Sequence, residues 1–289
     1  MRFYHTLWTA PLKAEVIANN IANFTLSAAF IKQHGGELVL HTDDFGYALL
    51  NHIPYDSFYI DLNGLDTNIG NYFWAYGKLY ATSKEPIGSI HIDGDVFLQN
   101  KGLFKAFENN ENIDIVVQSQ EDEQTIKNDC YVLTQNVYSK FNLPNNLLCN
   151  WGYAYNCGVV QINNKELKTK YLKNYFDTVK VLMKDENLPH YIAEENNKGN
   201  GEVIMDIVAE QQFLHQLCND ENYSVRKILY EDNLYSQANN IGYCHLCGPE
   251  KYKQYETIVS TLKHTDMLLY SKMISKTLYK EYDKKRLIL

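Results

Sequence analysis

The stretch SIHIDGDVFL, residues 89 to 98, runs apolar and then places Asp93 and Asp95 on either side of Gly94. In an extended strand residues i and i+2 face the same side, so the two carboxylates are expected to converge if extended geometry continues through the glycine. Convergence brings repulsion, relieved either by protonating one acid or by recruiting a cation, and Mg²⁺ or Mn²⁺ accepts hard oxygen ligands of this kind. Three chemistries therefore compete: a solvated Asp-Gly turn, a phosphatase nucleophile with its partner acid, and a cradle for a divalent cation. At the carboxyl end of a strand in an open α/β sheet the pair would lie where such folds bind ligands. A cation held there could also take diphosphate oxygens, letting an acidic chain bind an anionic nucleotide.

Other motifs narrow the choice. A haloacid-dehalogenase-like phosphatase also pairs a hydrophobic strand with Asp-x-Asp, usually with Thr or Val two places after the second acid. Phe97 stands there, the motif is not near the start of the chain, and no late acidic pair follows a strand. Six cysteines (Cys130, Cys149, Cys157, Cys218, Cys244, Cys247) without a secretory leader read as reduced thiols. CHLC, residues 244 to 247, invites zinc, yet a structural zinc site wants four ligands and no second close Cys or His pair appears.

The elements that must position these residues are legible as alternating periodicities. RFYHTLW, ELVLHTDD, SFYIDL, SIHIDGDVFL and NIDIVVQSQ read as strands, and AEVIANNIANFTLSAAFIKQHGG and NYFWAYGKLYATSK carry apolar residues at helical spacing. Short apolar strands alternating with helices predict an α/β sheet covered on both faces. Further on, YVLTQNVYSKFNLP, KELKTKYLKNYFDTVKVLMKD and VIMDIVAEQQFLHQLCND predict helices, NWGYAYNCGVVQIN a strand or hairpin, and EENNKGNGE (194–202) a loop. The simplest organisation is one domain over residues 1–265, with a nucleotide-binding half (1–120) and an acceptor half (121–265), followed by a basic tail (266–289).

Bulk properties exclude other classes. With 35 acidic against 27 basic residues in 289 and a net charge of −8, the chain is a poor general nucleic-acid binder, which would need a basic face. No apolar run approaches a membrane span and the start lacks a secretory core, so a cytoplasmic location is expected. The last residues carry Lys272, Lys276, Lys280, Lys284, Lys285 and Arg286 against Glu281 and Asp283. Such a segment could lie peripherally on the anionic inner face of a membrane or pack as a terminal helix with a solvated cationic face.

Several stretches, taken in order, resemble one family. HIDGDVFL resembles the Asp-x-Asp metal motif of GT-A fold nucleotide-sugar glycosyltransferases, YGKLYA (76–81) the helix before it, YNCGVVQIN the Asn-x-Gly-Val segment, AEQQFL the Asp-Gln-x-x-Leu segment, and HLCGPEKY the His-x-x-Gly-x-x-Lys-Pro-Trp segment. The chain is most similar to the retaining group that includes glycogenin and bacterial lipopolysaccharide galactosyltransferases. The resemblance implies a mixed, mostly parallel sheet, and Mn²⁺ or Mg²⁺ held by Asp93, Asp95 and His245. It also implies a UDP-sugar donor whose diphosphate meets Lys251 beside Gly248, and a donor sugar approached by Lys78, Asn156 and Gly158. Glu210 and Gln211 would stand at the reaction centre, with a glycan or glycolipid as acceptor. Departures are Glu210 for the usual Asp, and Tyr252 and Lys253 for Pro and Trp.

Each residue also has a plainer reading. His245 could be an ordinary histidine near two thiols, Gln211 an exposed helix residue, and Asn156 a buried amide satisfying backbone groups. Trp8 and Tyr4 sit near the end of the first strand, where such folds hold the nucleotide base, or they are core aromatics. A non-catalytic nucleotide- or glycan-binding protein of the same fold is the alternative from a different class.

Overall fold

The computed structural model describes residues 1–12, 14–108, 110–121, 123–148, 152–198, 201–230, 234–246 and 254–275. Its strands are β1 (Arg2–Leu7), β2 (Glu37–Thr42), β3 (Ser57–Tyr59), β4 (Ile90–Ile92), β5 (Val96–Leu98), β6 (Ile115–Glu121), β7 (Ala154–Ile162), β8 (Val225–Lys227) and β9 (Tyr243–His245). The chain is α/β, and its strand pairings are mixed and mostly parallel. Among the described residues no helix is long and apolar enough to cross a membrane. Two compact units interleave along the sequence: Met1–Leu65 with Ile90–Lys105 and the described part of 235–289, and Asp66–Ser89 with Ala106–Leu234.

In the first unit β3, β2, β1 and β4 lie side by side, all parallel. The middle of β2, Leu38–Leu40, is fully buried, as a parallel strand covered on both faces requires. Asp43 ties the carboxyl ends of β1 and β2 together. It caps the helix Asp44–Leu50 by accepting Gly46 N–H at 2.8 Å, and it also accepts Thr9 N–H at 2.8 Å, Ala10 N–H at 3.0 Å and the Thr9 hydroxyl at 2.7 Å. Beneath them His5 is wholly buried between the Tyr55 hydroxyl (2.8 Å) and the Ser27 hydroxyl (3.1 Å), and burial lowers its pKa to about 3. It is therefore a neutral core group.

Residues 89–98 do not form the single strand that the sequence predicts. β4 ends at Ile92 and β5 begins at Val96; between them Asp93–Asp95 make a tight turn, closed by Val96 N–H on the Asp93 carbonyl at 3.0 Å. The glycine in it has a steric reason. A Cβ on Gly94 would come within 2.4–2.6 Å of the Phe24 ring, which the helix Ala14–Gln33 holds buried against this backbone. β5 then pairs antiparallel with β9, Val96 opposite His245, and Leu246 N–H extends the contact to the Asp95 carbonyl at 3.1 Å. Gly242, with φ of +74°, turns the chain from the helix Leu234–Ile241 into β9, a backbone conformation glycine adopts without a side-chain penalty.

In the second unit β6 pairs antiparallel with β7 and parallel with β8. The helix Lys165–Leu182 buries Leu167, Tyr171, Tyr175, Val179 and Leu182, one stripe at helical spacing, and Asn164 caps it through Glu166 and Leu167 N–H. Its apolar stripe joins a core with Phe73, Leu79, Val117, Tyr138, Leu214 and Phe213. The helix expected from residue 71 begins at Tyr76, and the strand expected over 57–62 is three residues long. The segment expected to be a loop at 194 is still helical to Asn196.

Replacing Gly94 by Ala forces a methyl into the Phe24 ring, an overpacking that costs about 1–3 kcal/mol. Urea unfolding should show a lowered midpoint for Gly94→Ala; an unchanged midpoint would mean that Phe24 does not set this turn.

Candidate functional site

Two groups of polar side chains stand out, one in each unit. In the first, one carboxylate oxygen each from Asp93 and Asp95 and one ring nitrogen of His245 all lie within 4.8 Å of one another. The His245 Nε2 to Asp95 Oδ1 distance is 3.6 Å, and both side chains are largely sheltered, at 12% and 14% exposure. The local chain dictates this convergence: the turn at Gly94 presents both acids, and the β5–β9 ladder sets the histidine across from Val96. Adjacent ligands of an octahedral small cation sit about 3 Å apart, so small side-chain rotations would close the group on one ion. Two hard oxygens and one imidazole suit Mn²⁺ or Mg²⁺ better than a thiolate-seeking metal. His91, which the sequence reading passed over, stands behind them with Nδ1 3.8 Å from Asp93, its ring edge-on to buried Tyr4 at 5.1 Å between centroids.

The second group lies around a π-helical turn, Ile207–Gln212. Lys78, from the helix Tyr76–Lys84, is buried, with its ammonium 2.8 Å from the Glu210 carboxylate and donating to the Cys157 carbonyl at 2.8 Å. Glu210 is fully buried. Four residues earlier Asp206, also fully buried, accepts Ala75 N–H at 2.8 Å and the Tyr175 hydroxyl at 2.8 Å. Burial first, and then the Glu210 charge, raise its pKa from 3.8 to about 7, against the lowering by Ala75, Tyr175 and Lys78. A buried ion pair is stable only when its remaining polar atoms are satisfied, and removing one partner costs about 3–5 kcal/mol.

Asn156 and Gln211 belong to the same unit and meet through two residues that motif reading missed. Glu121, the last residue of β6, accepts Asn156 Nδ2–H at 3.2 Å and the Tyr131 hydroxyl at 2.5 Å, and Gln211 Oε1 lies 3.0 Å from that hydroxyl. A phenol carries one proton, so the Gln211 amide turned about to offer its NH₂ to the Tyr131 oxygen satisfies all three groups. Burial, and next the Glu121 carboxylate, push the Tyr131 pKa far up, which keeps the phenol a donor. Gly158 N–H closes onto Asn156 Oδ1 at 3.0 Å, fixing the amide from the other side. Trp8 and Tyr4 are buried in the first unit. Gly248 and Lys251 lie outside the described residues, as do Cys149, Cys247 and most of the basic tail.

Asp206, Glu121 and Tyr131 left little trace in the sequence. Asp206 and Glu210 share an i, i+4 spacing inside an apolar run, the one signal that buried acids were present. The π turn changes the angular step per residue, so helical periodicity could not say that Glu210 and Gln212 turn fully inward while Gln211 stays partly exposed.

A family model described as "Family of unknown function (DUF6734)" matches residues 1–286. The chain belongs to that family. A search of curated proteins finds no match. Among solved structures the chain is similar to mouse xyloside xylosyltransferase 1, with 14% identity, a TM-score of 0.37, and 78% of this chain and 84% of that one covered. It is similar to the glycosyltransferase GlyE of Streptococcus pneumoniae, with 12% identity and a TM-score of 0.43 over 96% of this chain; the match spans 64% of GlyE, under two thirds of its length. It is also similar to the galactosyltransferase LgtC, solved with donor and acceptor sugar analogs, with 10% identity, a TM-score of 0.43, and 90% of this chain and 96% of that one covered.

The Asp206 pKa gives a stability prediction with a definite sign. A folded-state pKa raised above the ordinary 3.8 contributes stability that is complete below that value and is lost as pH rises through about 7. Between about pH 5 and about pH 8 the Tm of the natural protein should fall relative to that of Asp206→Asn, which mimics the neutral acid. A Tm difference that stays constant across this range would contradict a raised pKa.

Proposed function

We propose that the protein is a metal-dependent glycosyltransferase that moves a hexose from a UDP-sugar to an acceptor hydroxyl on a glycan or glycolipid, with retention at the anomeric carbon. The observation that carries the reading is the approach of His245 to Asp93 and Asp95, three residues that the motif resemblance selected, the histidine lying far from the acids in sequence. Asp93, Asp95 and His245 would hold Mn²⁺ or Mg²⁺. When bound, that ion supplies charge compensation for a departing diphosphate, the kind of preorganised electrostatic help that is usually the largest catalytic contribution. Lys251 and Gly248 are assigned to the diphosphate, and Trp8 to the nucleotide, on the resemblance alone.

Around the donor sugar the assigned roles follow from what each side chain is tied to. Lys78 is held by Glu210, so it offers a positioned, compensated ammonium rather than a free charge. Gln211 steadies developing positive charge at the sugar through its amide oxygen or orients a hydroxyl, and Asn156 binds a sugar oxygen. Glu210 organises Lys78 and is not assigned a nucleophilic role. A non-catalytic binder would keep these contacts without turnover, and the basic segment 266–289 would add peripheral attachment to an anionic membrane.

The test is a thermal-shift experiment followed by turnover. UDP with Mn²⁺ should raise Tm more than the sum of either alone, Asp95→Asn should abolish the synergy, and a UDP-hexose should be hydrolysed slowly without acceptor. Absence of a shift with any nucleotide would remove the donor site. A shift without hydrolysis or transfer would leave the binding protein, and metal-dependent cleavage of simple phosphate monoesters would favour the phosphatase.

A further inference from the structure

Trp74 is a large exposed aromatic on an otherwise buried segment. Its neighbours Phe73 and Ala75 are fully buried, and the Ala75 N–H is fastened to the buried Asp206 carboxylate at 2.8 Å, so the backbone carrying the indole is clamped on both sides. The residue is nonetheless 47% exposed. It stands one helical turn before Lys78, whose ammonium lies 6.0 Å from the ring centroid. A single exposed apolar residue is ordinary on a protein surface. An indole pinned by a buried carboxylate and facing a buried ion pair is a different matter, because rigid aromatic surface binds a partner at little cost in conformational entropy.

The surroundings select the occupant. The Lys78 charge is already matched by Glu210 at 2.8 Å, so this ammonium brings no uncompensated positive charge to the ring with which to hold a phosphate or an acidic peptide. What remains is a flat, half-exposed π face near a paired ammonium. That combination fits an uncharged pyranose ring, which has an apolar face of C–H groups and a rim of hydroxyls.

We propose that Trp74 is a stacking platform for a neutral sugar ring of the acceptor glycan. The inference deepens the glycosyltransferase reading and rests on it. Asp206 is then a positioning residue: through the Ala75 N–H it sets where the platform stands, and through Glu210, one turn on, it shares the environment of Lys78.

The test uses the full chain with UDP and Mn²⁺ present, probed on an array of neutral and acidic glycans. The natural protein should retain neutral glycans, Trp74→Ala should weaken that binding at least about tenfold, and Trp74→Phe should restore most of it, since a phenyl ring still offers a stacking face. Circular dichroism and melting of both variants separate loss of binding from loss of fold. Equal binding by Trp74→Ala, retention of acidic glycans only, or a change confined to self-association of the chain would overturn the inference. The two readings fail separately. If the natural protein shows no UDP–Mn²⁺ shift, the donor reading is lost whatever Trp74 does; if the shift is present but glycan binding ignores Trp74, only the platform is lost.

Discussion

Two like charges two residues apart repel unless solvent or a nearby group answers them, and that constraint bears on the first unit. Asp93 and Asp95 are brought to one side by a turn, and His245 is delivered to them by the β5–β9 ladder. The turn depends on Gly94, since Phe24 occupies the space a side chain would need. A helix near the start of the chain, a turn in its first third and a strand near its end are thus coupled in one small volume.

The second unit meets the same electrostatic problem by burial. Three ionisable groups, Asp206, Glu210 and Lys78, sit where water cannot reach them well, and each is answered by a specific partner: Ala75 N–H and Tyr175 for Asp206, and Lys78 and Glu210 for each other. Buried ionic groups of this kind seldom repay their desolvation in stability alone. A pKa raised to about 7 on Asp206 expresses that strain directly. Clusters of perturbed groups concentrate where proteins do chemistry, and here they lie beside the π turn that carries Gln211.

Much of the architecture was readable in advance because burial leaves a period in sequence. The strands β1, β2, β6 and β7, and the helices Ala14–Gln33 and Lys165–Leu182, stand where apolar repeats placed them. The errors share a cause. SIHIDGDVFL is apolar on both sides of its acids, and no local rule reveals that the chain turns at Gly94, where the Phe24 ring leaves no room for a side chain. The helix of AEQQFL was evident, yet its π register, and with it which of three consecutive polar residues turns inward, depends on Lys78 and Tyr131 from other elements.

From sequence alone came the kinds of element and the acidic character, because residue type and periodicity are local properties, and the motif resemblance added the candidate site residues. Tertiary structure alone decided that His245 reaches the aspartates, that Glu121 and Tyr131 join Asn156 to Gln211, and that Asp206 holds the peptide beside Trp74. Those contacts link residues tens to more than a hundred positions apart, and their energies depend on distance and burial in space, which no spacing along the chain encodes.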